Sequence, residues 1–334
     1  MTKLLPGATI DWGDPITRGL RNCYLMNEGA GSLVNNIVDF KANGRMTNMV
    51  QGTTSGWAGS DFGGGIKYDG VNDYIDIVND TELDWIKSSS FAISVWAKPY
   101  SGSPNFLAFF DRGYVSLGAS SYGLTFYHDI GTSTIWMIRN TGTSSGSLSR
   151  YATLVLAPSF NKFDHYLWSY NKENATFQLW VNGIKRNITY GGNAINSLDV
   201  SFHATWDAGY NIGALRRNVS DIYGYGIIDS VRIWNRTLSS AEACRVYNEY
   251  DSGIFVPQIY AFPIYGLGAW KGKLATAGNT GTLTANTSDS NSEAYMVMSF
   301  RGLQASVTVP PSITPTKSIS PSISVSITVS VSRT

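Results

Sequence analysis

The chain has 334 residues, 43% of them hydrophobic, enough to bury one large β domain or two smaller ones. Its formal net charge is +1, charged residues make up only 15%, and no basic block occurs, which argues against nucleic acid or an anionic membrane surface as a partner. Thirty-four glycines and 13% aromatic residues suit many short strands joined by tight turns.

The opening, MTKLLPGATIDWGDP, holds no apolar run of signal-peptide length, and no later run is long enough to span a bilayer. The expectation is a soluble chain made in the cytosol, unless a leader has been removed, with no membrane insertion. Cys23 and Cys244 lie far apart and match neither a zinc spacing nor a disulfide framework. Two buried reduced thiols are expected, with a bridge as the alternative.

Strand signals then recur at short intervals. Tyr74 to Val78 opens the series. In SFAISVWAKP, Phe91, Ile93, Val95 and Ala97 share one face, while Ser94, Trp96 and Lys98 share the other. Leu124 to Tyr127, Thr134 to Arg139 and His165 to Tyr170 follow. In TFQLWVNGIKR, Phe177, Leu179 and Val181 alternate with Gln178 and Trp180 before Asn182-Gly183, a hairpin signal because both residues accept positive φ. The last strand runs from Ile227 to Trp234. One short helix comes next, with Ser239 and Glu242 spaced as a capping box and Ala243, Val246, Tyr247 and Tyr250 at helical spacing, ended by Asp251-Ser252-Gly253. Beyond it, residues 254–305 are aromatic and Pro-punctuated, then polar, and read as a small β extension.

From Ser306 to Ser332, Ser or Thr occupies every even position except Pro310. Val307, Val309, Ile313, Ile319, Ile323, Val325, Ile327, Val329 and Val331 hold odd positions, so this arm has one apolar and one hydroxyl side. Extended, residues 306–334 would reach on the order of 90 Å. Such a strand cannot stabilise itself alone. It either stays disordered, adds to the sheet edge of another copy or another protein, or wraps with further copies into a fibre. The last two are favoured, since an unpaired alternating strand is an aggregation hazard.

Several of these segments, in order, resemble one family. GIKYDGVNDYIDIV is similar to its Phe-Asp-Gly…Asp-Tyr-Val element, FAISVWAKP to its Ser-x-Trp strand, and FDHYLWSYNKENATFQLWVNGIK to its Trp-x-His…Tyr-x-x-Gly strand pair. YNIGALRR and GYGIIDSVRIWNRTLSSAEACRVYNEY resemble its closing strand and helix, and LRNCYLMNEGAGSLVNNIVDFKANGRMTNM its opening strand and loop. The family is the laminin-G-like, concanavalin A-like lectin/glucanase jelly roll, matched over about residues 18 to 250. Asp39 to Ala42 depart from the family's loop pattern, and Phe163 stands for its Trp. The phrase TIDWGDPITRGLRNCYLMNEGAG also resembles a variant found in phage and environmental-virus structural proteins.

The resemblance implies an all-β chain: an antiparallel two-sheet jelly-roll sandwich over residues 18–253, with a lead-in at 1–17, one helix after the last strand, the small extension and the C-terminal arm. It implies a structural Ca2+ between Asp229 and the opening loop, with Asp39, Glu28 and Asn43 as further oxygen ligands. Ile227, Asp229, Val231 and Ile233 share one strand parity, which puts the Asp229 carboxylate among apolar neighbours, where it must pair or coordinate. An Asp229–Arg pair or turn amides are the alternative. Tyr223 and Tyr225 in a Gly-rich loop, with Trp57, are the candidate glycan-binding aromatics, packing on neighbouring loops being the alternative. No paired-carboxylate strand of the glucanases occurs, and Gln258-Ile259 is followed by Tyr260 where a lyase strand would have His. His128, His165 and His203 are scattered, so no catalytic residue is assigned. Asn79, Asn174, Asn187, Asn218, Asn235 and Asn286 open N-x-S/T triplets, relevant only where glycosylation machinery is present. The expectation is a non-enzymatic, glycan-binding surface protein of a phage or virus-like assembly, its arm joining subunits. A free or secreted lectin with a glycosylated tail is the alternative, and a polysaccharide hydrolase or lyase the remaining one.

Overall fold

Period-two runs of apolar residues bury one side of each strand, and two such sheets close on each other. The computed structural model describes residues 9–52, 54–60, 63–102, 106–117, 120–141, 149–192, 200, 209–216, 221–249, 255–256, 282–286, 305–306, 324–328 and 330–331. They fall into two units, Met1–Pro257 and Gln258–Thr334.

The first unit is an antiparallel β-sandwich. Its nine-stranded sheet runs, in spatial order, Thr189–Gly192, Ser149–Val155, Thr134–Thr141, Ser120–Asp129, Phe106–Leu117, Tyr210–Ile212, Tyr74–Ile77, Gly44–Thr47 and Leu33–Val34. The eight-stranded sheet runs Ile184–Arg186, Thr176–Val181, Asp164–Asn171, Phe91–Pro99, Tyr225–Trp234, Gly65–Asp69 and Gly56–Ala58, with Leu20–Tyr24 added along Tyr225–Trp234. Between the sheets lies the main core. Phe91, Ile93, Val95, Trp168 and Leu179 of the smaller sheet meet Leu107, Phe109, Phe126, Ile135 and Met137 of the larger one. Phe109 stacks on Tyr166 at 4.6 Å and meets Phe126 edge-on at 5.0 Å.

The second face of the eight-stranded sheet carries its own core. Ala92, Leu167, Trp180 and Trp234 pack there against Ala243 and Val246 of the helix Ser240–Glu249 and against Ile10 and Ile16 of the lead-in. The lead-in is therefore built into the sandwich. The Trp234 indole donates to Ile16 O at 2.8 Å, and the Arg245 guanidinium grips the Asp14 carboxylate through two bonds of 2.7 and 2.5 Å. Thr9–Ile10 and Phe255–Val256 form a two-residue antiparallel ladder.

The local signals read from the sequence act as stated. The Glu242 N–H donates to Ser239 Oγ at 3.2 Å, and the Ser239 N–H donates back to Glu242 Oε2 at 2.9 Å. Asn182 and Gly183 both have positive φ, at 53° and 73°, closing the hairpin onto Ile184–Arg186. The helix-ending Asp251-Ser252-Gly253 lies outside the described residues. Neither thiol is in a disulfide, but only Cys23 is buried; Cys244 is exposed, because it falls between the buried positions Ala243 and Val246 on the helix's outer side.

One parity differs. Asp229 is the extra residue of a β-bulge, since Ile228 pairs with Ala97 and Ser230 with the next residue, Trp96. The alternation therefore slips by one there, and Ile228, not Ile227, enters the main core with Val231 and Ile233. The strand Phe106–Leu117 goes beyond those read from the sequence. Two register shifts against Ser120–Asp129 break its period of two.

In the second unit, Thr282–Asn286 pairs antiparallel with Ser324–Thr328, setting Leu283 opposite Ile327 and Ala285 opposite Val325. Ala305–Ser306 pairs with Ser330–Val331. Of the arm positions named above, Val307, Val309, Ile313, Ile319, Ile323 and Val329 lie outside the described residues.

Candidate functional site

The outward face of the nine-stranded sheet brings together the chemistry that the sequence scatters. Phe106, Ala108, Tyr127 and Ile138 form a separate apolar cluster there, with Trp136 and Tyr151 partly buried against it. The rings follow one another across adjacent strands: Phe106 to Tyr127 at 4.7 Å, Tyr127 to Trp136 at 6.2 Å with planes 7° apart, and Trp136 to Tyr151 at 5.3 Å. Gly191 sits under the last ring. A Cβ there would stand 2.3 Å from the Tyr151 ring, so a side chain at that position would lift Tyr151 off the sheet.

A short hairpin, Ala214–Leu215 with Ile222–Tyr223, folds over the Phe106 end, and Leu215 and Ile222 join the cluster. Trp136 and Tyr151 remain half-buried, forming a floor, and Val155 at the far end of its strand is 77% exposed. The hairpin supplies a polar wall. Arg216 Nε donates to Asp221 Oδ2 at 2.8 Å, the Tyr223 hydroxyl donates to the same oxygen at 3.1 Å, and the guanidinium lies over the Tyr74 ring at 4.6 Å. Burial first, then the Asp221 carboxylate, pushes the Tyr223 phenol up from its ordinary pKa. Asp111 pins the wall to the sheet. Fully buried, its carboxylate accepts the Thr125 hydroxyl at 2.7 Å, the Arg216 N–H at 3.1 Å and the Asn211 amide at 3.3 Å.

The three candidate aromatics separate. Tyr223 belongs to this wall. Tyr225 turns away, edge-on to Tyr100 at 5.4 Å. Trp57 is partly buried against the main core and donates its indole N–H to Gly31 O at 2.7 Å. The floor residues Trp136 and Tyr151 escaped sequence reading, although Trp136 lies in an expected strand. The usable signal was parity, because Trp136 alternates with the core residues Ile135 and Met137.

The candidate calcium ligands hold the opening loop by other means. Asn36 is its centre: its amide donates to Asp39 Oδ1 at 2.9 Å, while its backbone N–H donates to Asn43 Oδ1 at 2.8 Å. Glu28 Oε1 accepts the Asn35 N–H at 2.7 Å. Asp229, fully buried, accepts the Ser60 hydroxyl. Among the described residues no group of three or more Asp, Glu, His or Cys is placed to hold a metal ion.

The histidines have structural surroundings. His165 is fully buried against the stacked rings of Trp96 and Tyr247, with Nε2 2.8 Å from Ser94 Oγ. Burial, then the Arg232 charge, pushes its pKa down to about 3. His128 Nε2 lies 3.1 Å from Leu156 O, and burial lowers its pKa. His203 and Gln258 to Tyr260 lie outside the described residues. No helix among the described residues is long and apolar enough to cross a membrane.

No curated protein matches the sequence. Among solved structures, domain 4 of AbnA, a GH43 extracellular arabinanase from Geobacillus stearothermophilus in complex with arabinotriose, is similar at 16% identity and a TM-score of 0.45, over 69% of this chain and 98% of that one. Trypanosoma rangeli sialidase in complex with sialic acid is similar at 10% identity and a TM-score of 0.47, over 70% of this chain but only 33% of its own. Ruminococcus gnavus IT-sialidase CBM40 bound to α2,3 sialyllactose is similar at 16% identity and a TM-score of 0.43, over 55% of this chain and 95% of that one. A family model matches residues 69–244, more than half of the chain, and with two antiparallel sheets closed by one helix the chain belongs to the concanavalin A-like lectin/glucanases superfamily, in its Laminin_G_3 family.

Proposed function

We propose that the chain is a non-catalytic glycan-binding module carried on the surface of a phage or virus-like assembly. The observation that carries the binding reading is the floor of Trp136 and Tyr151, joined through the cluster of Tyr127, Phe106, Leu215 and Ile222 to the hydroxyl- and carboxylate-bearing wall of Tyr223 and Asp221. Aromatic faces receive the C–H faces of sugar rings, and a few convergent polar groups fix their hydroxyls, which is the usual composition of a small-molecule site. The non-catalytic reading is supported by how the nearby carboxylates are engaged. Asp111 oxygens are taken by Thr125, Asn211 and the Arg216 N–H, and Asp221 by Arg216 and Tyr223. A glycosidase needs one carboxylic acid and one free carboxylate flanking the scissile bond.

The assembly reading is supported by the alternating arm, whose segment Ser324–Thr328 forms an antiparallel ladder with Thr282–Asn286. The same pairing made between chains would tie subunits together. A glycan array, probed with and without calcium, tests the binding reading. Signal on the array that is lost in Trp136→Ala is the expected outcome, and a blank array removes the reading.

A further inference from the structure

Resting on that glycan-binding reading, the charge balance of the site narrows the ligand. We propose that the floor and wall take a neutral oligosaccharide, one bearing no carboxylate or sulfate. Two guanidinium groups stand on this face among the described residues, and each faces a carboxylate. Arg216 is bound to Asp221 at 2.8 Å. Arg45 stands directly across from Asp76 in the paired strands Gly44–Thr47 and Tyr74–Ile77. With Asp111 and with Asp129, which stands across from Phe106, four carboxylates oppose two guanidinium groups among the described residues, so the described part of the face is negative by two. Among the described residues an anionic sugar would meet no uncompensated cation there and would have to displace an existing ion pair. A neutral sugar needs neither. Successive rings of an oligosaccharide stack on Trp136 and on Tyr151, whose planes are 48° apart, and hydroxyls further along it exchange hydrogen bonds with Asp221, Arg216 and Tyr223 without moving a charge.

The hairpin is built to hold this balance. Asp111 fixes the Arg216 backbone, Leu215 and Ile222 seat the two strands of the hairpin on the sheet, and Tyr74 supports the guanidinium from below. The pair is about four-fifths buried at both side chains, 23% and 20% exposed, so salt screens it less than a surface pair.

Calorimetric titration of the full chain with xylohexaose and cellohexaose as neutral probes, and with hexagalacturonate and sialyllactose as acidic ones, tests the inference. Binding of a neutral probe is expected, with affinity changing less than about twofold between roughly 0.05 and 0.5 M NaCl. Trp136→Ala and, separately, Tyr151→Ala should each weaken it on the order of tenfold, with melting temperatures recorded to separate lost binding from lost folding. Asp221→Asn leaves Arg216 uncompensated and should raise affinity for the acidic probes. Wild-type preference for an acidic probe overturns the neutral-ligand inference and leaves the glycan reading standing. Neutral binding that survives both floor variants overturns the site. Binding of no probe, together with a blank array, removes the glycan reading and this inference with it.

Discussion

At the scale of single residues, two buried ionisable groups give this fold a pH signature. Asp73 is buried in the turn before Tyr74–Ile77, where one oxygen accepts the Asp69 N–H at 3.0 Å. Burial, with the Asp69 charge adding to it, pushes its carboxyl up to about 6. A carboxyl raised by folding favours the protonated form, so its contribution is full below the unfolded value near 3.8 and is lost as pH rises through about 6. Asp73→Asn keeps an acceptor for the amide and removes the titration. Its melting temperature relative to the parent should therefore be more favourable at pH 8 than at pH 4, and an equal difference at both would refute the account. His165 works in the other direction. Its pKa is lowered to about 3, so the neutral ring stabilises the fold above the unfolded value near 6.5, and that stability is lost as pH falls toward 3. His165→Gln should cost stability at pH 8 by disturbing the contacts with Trp96 and Tyr247, yet flatten the loss between pH 6.5 and 4 seen in urea titrations.

At the scale of elements, legibility in the sequence tracked local physics. The capping box, the Asn182-Gly183 turn and the alternation in Phe91–Pro99 depend on neighbours a few residues away, and each reads directly from its own segment. Parity failed at Asp229 and along Phe106–Leu117, where bulges insert a residue that no periodicity reports. The binding floor was hidden for a different reason. Trp136, Tyr151 and Gly191 lie on three strands, and only sheet order makes them neighbours. The lead-in makes the same point about packing, because its hold on the helix depends on Asp14 meeting Arg245 across the fold. Trp234, buried beneath both, should cost about 3–5 kcal/mol when changed to Ala, measured by denaturant unfolding. Arg245→Ala should cost less. It should still lower the melting temperature, because Asp14 also accepts the Ile16 N–H at 2.9 Å and its position sets the lead-in.

At the scale of the whole molecule, the described residues that fill both core clusters belong to Met1–Pro257. Deleting residues 306–334 should leave the melting temperature of the sandwich unchanged while lowering the oligomeric state measured by light scattering. An unchanged oligomeric state, or a truncated chain that still joins its particle, would remove the arm's role in assembly. Thr284 and Ser326 lie opposite in register, so Thr284→Cys and Ser326→Cys placed on separate chains and mixed should cross-link between subunits if the ladder forms in trans. The ladder of Thr9–Ile10 with Phe255–Val256 carries a mechanical consequence. Because it is antiparallel and pairs Thr9 with Val256, the two outer ends of the ladder, Thr9 and Val256, lie side by side. Tension between those ends would open the pairs one after another, as a zipper, and would not load them together in shear. Beyond those two pairs the load would meet the Asp14–Arg245 and Trp234–Ile16 bonds that hold the lead-in to the helix and the sheet.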